Sequence, residues 1–121
     1  MINPKPEILQ ALESNQALVS LLGGKKIYWL VAGMAEYPYI TYSELANHDT
    51  DYADDKATAS EIHIQVDIWS KGNPTKIAAE VDKTMRRLGY TRYGAIDLYE
   101  SDTKVYHKAL RYETKKMRGE G

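Results

Sequence analysis

The chain has 121 residues, 43% of them hydrophobic, and a formal net charge of -1. That length suits one domain burying about two thirds of its unfolded surface, and the near-neutral balance argues against strong nonspecific attraction to DNA. The absence of cysteine removes disulfides, thiolate metal sites and thiol nucleophiles.

The N-terminus, Met-Ile-Asn-Pro-Lys-Pro, lacks the apolar run of a signal peptide, and later apolar stretches are too short to span a bilayer. A soluble, unexported chain with no membrane contact is expected. Pro4 and Pro6 open a helical stretch with Ile8, Leu9 and Leu12 at helical spacing, interrupted at Ser14-Asn15 by two good capping residues. Leu18, Val19 and Leu22 form the stripe of a second short helix, which Gly23-Gly24 ends. Ile27 to Val31 reads as a first strand, Gly33 to Tyr37 as a connection, and Tyr39 to Leu45 as a second strand begun by Pro38. Residues 47–59 carry four aspartates and no apolar period, which predicts a mobile acidic loop of unusual length between two hairpin strands.

The segment Ile62 to Trp69 alternates without a break. Ile62, Ile64, Val66 and Ile68 share one face, and His63, Gln65, Asp67 and Trp69 share the other. Burial of the four apolar side chains is worth roughly 1.5 to 3 kcal/mol each before entropy, and a one-residue slip would expose them all, so the register is fixed. After Ser70-Lys71-Gly72, Asn73-Pro74 starts the main helix, about 74–88, with Ile77, Val81, Met85 and Leu88 as its stripe and Gly89 as its stop. Thr91 to Tyr99 and Val105 to Glu113 are two further strands around a turn at Glu100 to Thr103, and residues 114–121 form a basic flexible tail. The order predicts one α+β domain over 1–121, a single antiparallel or mixed sheet of four to five strands packed on one face by the main helix and the N-terminal helices.

Charge is unevenly spread. Glu44, Asp49, Asp51, Asp54, Asp55, Glu61 and Asp67 face Lys56 alone, whereas Lys104, Lys108, Arg111, Lys115, Lys116 and Arg118 face only Glu113. On different sides of the fold these runs would draw copies together head to tail; independently solvated runs are the other reading. Ten tyrosines with no phenylalanine suit either a partner surface or the rim of a small core.

Reactive chemistry is hard to find. An EF-hand loop begun at Asp49 would need glycine and glutamate where the chain has Asp54 and Ser60, so no metal is expected there. His48, His63 and His107 read as exposed or rim histidines; His63 and Asp67 share a strand face but lie roughly 13 Å apart. Gly23-Gly24-Lys25-Lys26 follows a helix, where a phosphate loop must follow a strand. No catalytic residue, metal ligand, cofactor or small-molecule substrate is expected. Lys and Arg beside Tyr106 and Tyr112 leave a small nucleic-acid-binding or regulatory module as the alternative, ahead of an enzyme of unrecognised type.

The ordered landmarks are Leu18-Val19-Ser20-Leu21-Leu22-Gly23-Gly24, Ile27-Tyr28, Tyr37-Pro38-Tyr39-Ile40, a long polar segment, Val66-Asp67-Ile68-Trp69-Ser70 and a helix from Pro74. Together they resemble the tail completion, or tail-to-head joining, proteins of long-tailed bacteriophages and prophages. The resemblance implies a non-enzymatic virion component of the tail or neck, made in the host bacterial cytoplasm. It would form a ring, six copies being expected, and touch tail tube and head-tail connector proteins, with at most nonspecific contact with genomic DNA. The expected assembly surface comprises Asp49, Asp51, Tyr52, Asp54, Asp55, Tyr106, Arg111 and Tyr112, with segment 47–59 ordering on assembly.

Overall fold

Asn15 divides the N-terminal helical stretch. In the computed structural model, which describes residues 2–53 and 56–117, its backbone is extended and its Oδ1 accepts from the Leu18 amide at 3.0 Å, so helix α1 (Lys5–Ser14) ends where α2 (Gln16–Leu22) begins. The Asn15 amide also donates to Thr84 Oγ1 at 3.0 Å, tying this corner to helix α3 (Thr75–Arg87). Gly23, at φ 77°, stops α2 in the left-handed conformation that glycine accepts. Helix α3 starts one residue later than the Asn-Pro pair suggests: Asn73 Oδ1 accepts from the Thr75 amide at 2.9 Å, and Pro74 is the N-cap.

Five strands form one mixed sheet: β1 (Ile27–Trp29), β2 (Tyr39–Ala53), β3 (Lys56–Ser70), β4 (Thr91–Glu100) and β5 (Val105–Met117), in the order β1-β2-β3-β5-β4. All neighbours are antiparallel except β1, which runs parallel to β2 with Ile27 opposite Ile40. Strands with no helix between them are expected to pair antiparallel, and the first pair departs from that. A three-residue strand spans only about 10 Å, short enough for the following connection to run back beside it.

The segment read as a loop is strand. Residues 47–53 and 56–59 continue β2 and β3 as a two-stranded arm, with His48 opposite Glu61, Asp49 opposite Ser60 and Thr50 opposite Ala59. A bulge between Glu44 and Ala46 precedes the arm; Asp54 and Asp55 lie outside the described residues. Strand β5 extends along the arm as far as Met117, opposite Ala59, so the first four residues of the expected tail are strand too, and 118–121 lie outside the described residues.

All three helices cover one face of the sheet. Ile62, Ile64, Val66 and Ile68 are fully buried against Ile8, Leu12, Leu18, Leu22, Val81 and Met85, as their alternation requires. Three tyrosines, Tyr42, Tyr90 and Tyr112, join this core. Tyr42 donates to the Lys5 carbonyl at 3.4 Å, and Tyr112 donates to Asp82 on α3. No helix among the described residues is long and apolar enough to cross a membrane.

Candidate functional site: the uncovered face of the sheet

The pleat that buries Ile62 to Ile68 sends the intervening side chains to a face that no helix covers. Antiparallel register sets His63, Gln65, Asp67 and Trp69 of β3 opposite Glu113, Arg111, Ala109 and His107 of β5. On the other flank Asp67 meets Thr41 and Trp69 meets Tyr39. The outcome is a row of flat rings across the sheet. Tyr37 stacks on Tyr39 at 5.4 Å, Tyr39 on Trp69 at 6.2 Å, and Trp69 on His107 at 3.7 Å with 13° between planes. Tyr28 meets Tyr39 edge-on at 6.3 Å.

A line of hydrogen bonds holds these rings in place. Trp69 Nε1 donates to Thr41 Oγ1 at 3.0 Å. His107 Nε2 lies 2.7 Å from Asp67 Oδ1, with side chains only 15% and 11% exposed, and the acceptor-only carboxylate makes the ring nitrogen the donor. Gln65 Nε2 donates to Asp67 at 2.9 Å, and Arg111 Nε donates to Gln65 Oε1 at 3.0 Å. His107 is therefore neither a free rim histidine nor unsupported. Burial pushes the Tyr39 hydroxyl pKa up, helped by the neighbouring Tyr37 and Glu100, so the hydroxyl stays protonated at the rim of the row.

The face continues onto edge strand β4, where Ile96 and Leu98 stand opposite Ala109 and His107 and are 41% and 50% exposed. At the other edge Leu30, Val31 and Met34 are exposed in the connection after β1. Exposed apolar side chains gathered around a rigid aromatic row are the marks of a surface that meets another protein. An open hollow of about 320 Å³ is lined by Pro74, Asp97, Leu98, Tyr106, His107 and Lys108. Its two charged groups are spent on each other, with Lys108 Nζ 2.8 Å from Asp97. A second, of about 340 Å³, borders Asp82, which Tyr112 and Arg92 already engage.

The residues expected to form an assembly surface are scattered by the fold. Asp49 accepts from Ser60 Oγ at 3.1 Å, Asp51 is ion-paired with Lys115, and Tyr52 is exposed, all three on the arm. Asp54 and Asp55 lie outside the described residues. Arg111 sits mid-sheet on the uncovered face, and Tyr106, 42% exposed and leaning on Tyr99, lies at the end of β5 away from the arm. Tyr112 must be withdrawn: it is 1% exposed on the helix-covered face, where burial and the Asp82 contact raise its hydroxyl pKa. Among the described residues the acidic run lies on β2 and β3 and most of the basic run on the adjacent β5, with Asp51 paired to Lys115, so the two are neighbours in one sheet rather than on opposite sides. Each lysine and arginine of β5 has a partner in its own chain, Asp97, Gln65, Asp51 and Glu7 for Lys108, Arg111, Lys115 and Lys116.

Sequence reasoning missed His107, Tyr39, Ile96 and Leu98 as members of one face. Trp69 and Asp67 were assigned to the face opposite the core by alternation, and the alternation of Gly94, Ile96 and Leu98 held the same signal for β4.

A chain from a solved structure described as the virion of a native gene transfer agent particle shares this fold, with a TM-score of 0.63, 12% identity and 92% of each chain covered. No curated protein matches the chain. The sequence model of the tail completion protein gp17 family matches residues 6–115, which takes in both N-terminal helices, the whole sheet almost to the end of β5, and the helical layer, and the chain therefore belongs to this family of phage structural proteins.

Proposed function

We propose that the protein closes the end of a phage or prophage tail and helps join it to the head as a non-enzymatic ring of identical copies. Family membership over residues 6–115 carries this reading, and the likeness of fold to a chain of a gene transfer agent virion supports it. Six copies are the number the resemblance implies. Contacts between copies use the uncovered face and the β4 edge, whose unpaired backbone groups and exposed Ile96, Leu98 and Tyr99 can accept a strand or loop of a neighbour. Tail tube and connector proteins are the other partners, and the protein resides in the host cytoplasm until it enters the virion. The mutual engagement of the β5 cations speaks against a dedicated nucleic-acid surface.

Interfaces of standard size bury only about 800 Å² per partner, so a chain that is monomeric in dilute solution can still close a ring once a tube end presents several sites together. Complementation tests the proposal. A phage lacking the gene should accumulate heads and unjoined tails by electron microscopy, wild-type protein should restore particles, and Leu98→Asp should fold normally yet fail to restore them. Normal infectious particles without the gene would refute the function, and full rescue by Leu98→Asp would move the contact off this face.

A further inference from the structure

We propose that Glu61, His63 and Glu113 form a zinc site at the root of the arm. The three ligand atoms come from two strands on one sheet face and lie within 4.8 Å of one another. His63 Nε2 is 3.8 Å from Glu61 Oε1 and 3.8 Å from Glu113 Oε2. Zinc bonds of roughly 2.0 to 2.2 Å place tetrahedral ligand atoms about 3.3 to 3.6 Å apart, so small turns of two glutamate side chains close the gap. The scaffold is rigid at this point. His63 and Glu113 are direct cross-strand partners in the β3–β5 ladder, and Glu61 is two residues along β3 on the same face.

Electrostatics calls for a cation here. Among the described residues neither Glu61 nor Glu113 has a lysine or arginine partner; Lys115, opposite Glu61, is spent on Asp51. The two carboxylates are left with imidazoles alone, His48 at 2.8 Å from Glu61 Oε2 and His63 between them. A dication neutralises both. The second nitrogen of His63 is also engaged: Nδ1 lies 3.2 Å from the Tyr93 hydroxyl, which the bulge between Arg92 and Gly94 brings onto this face. With Nδ1–H donating to that oxygen, Nε2 keeps its lone pair toward the carboxylates, the arrangement that metal-bound histidines use. One imidazole and two carboxylates, with a fourth position open to water, suit Zn²⁺ and disfavour Mg²⁺ or Ca²⁺, which take all-oxygen shells. The sequence reading expects no metal anywhere in the chain, because these three ligands are brought together only by the β3–β5 register.

Calorimetric titration of the full chain with zinc chloride in a non-chelating buffer tests the site. One Zn²⁺ per chain is expected, undisturbed by Mg²⁺ or Ca²⁺, with affinity falling at least about tenfold in both His63→Ala and Glu113→Gln and falling also in Tyr93→Phe. Asp102→Asn, which removes an exposed carboxylate in the turn between β4 and β5, should bind as wild type. Glu113→Gln is nearly isosteric at a partly exposed position, so its loss of binding cannot be laid to unfolding, which circular dichroism will verify. No saturable binding at about 100 µM zinc, unchanged affinity in both ligand variants, or binding that depends on His48 alone would each overturn the proposal.

Discussion

Tyr90 and Tyr112 show how two buried rings of one residue type play opposite parts. The Tyr90 hydroxyl is buried with no hydrogen-bond partner among the described residues, although its ring lies under the Lys116 ammonium at 5.5 Å. Tyr112 donates to Asp82. Removing an unpaired hydroxyl spares a desolvation cost, whereas removing one that donates to a carboxylate loses a charge-assisted bond. Tyr90→Phe should therefore leave stability within about 0.5 kcal/mol of wild type or raise it, and Tyr112→Phe should cost about 1.5 kcal/mol, both read from urea midpoints. Neither role could be read from the sequence, where the ten tyrosines look alike; only the parity of each residue along its strand separates Tyr112 in the core from Arg111 beside it on the open face.

At the scale of elements, what the sequence disclosed tracks what each element buries. Strand β3 and helix α3 each bury one apolar stripe, so periods of two and 3.6 residues marked them, and Asn15 and Gly23 marked ends because capping chemistry is local. The arm left no such trace. It has no run of large buried apolar side chains, Ala59 being small, and its ladder rests on backbone bonds and pairs such as His48–Glu61 and Asp49–Ser60. The Asp67–His107 pair was equally hidden, because it depends on the register between strands forty residues apart. Two variants separate core from arm. Val66→Asp should destabilise by more than about 4 kcal/mol by burying an unpaired charge, and should yield insoluble protein. Replacing 50–58 with a two-residue turn should leave the thermal midpoint within a few degrees of wild type, and a loss of titre in the plaque assay would add the arm to the assembly surface. Normal titre with the shortened arm would confine assembly to the sheet face.

For the whole molecule, proton linkage sets an alkaline limit. Burial raises the hydroxyl pKa of both Tyr90 and Tyr112 above the ordinary value of 10.0. Above that value the unfolded chain loses these protons while the folded chain retains them. The stabilisation is thus complete below about pH 10 and declines as pH climbs toward the folded-state values. Urea midpoints at pH 8, 10 and 11 should fall at the alkaline end, and less steeply in the Tyr90→Phe, Tyr112→Phe double variant. Glu80 acts at the other end: its hydrogen bonds from Lys83 and Asn15 lower its pKa, a contribution present at neutrality and lost as acid protonates it. The meeting of Asp51 with Lys115 has a kinetic corollary. That pair casts little field into solution and the chain's formal net charge is only -1, so incoming subunits should find their places by diffusion and fit more than by long-range guidance. Assembly speed should accordingly change little between dilute buffer and physiological salt.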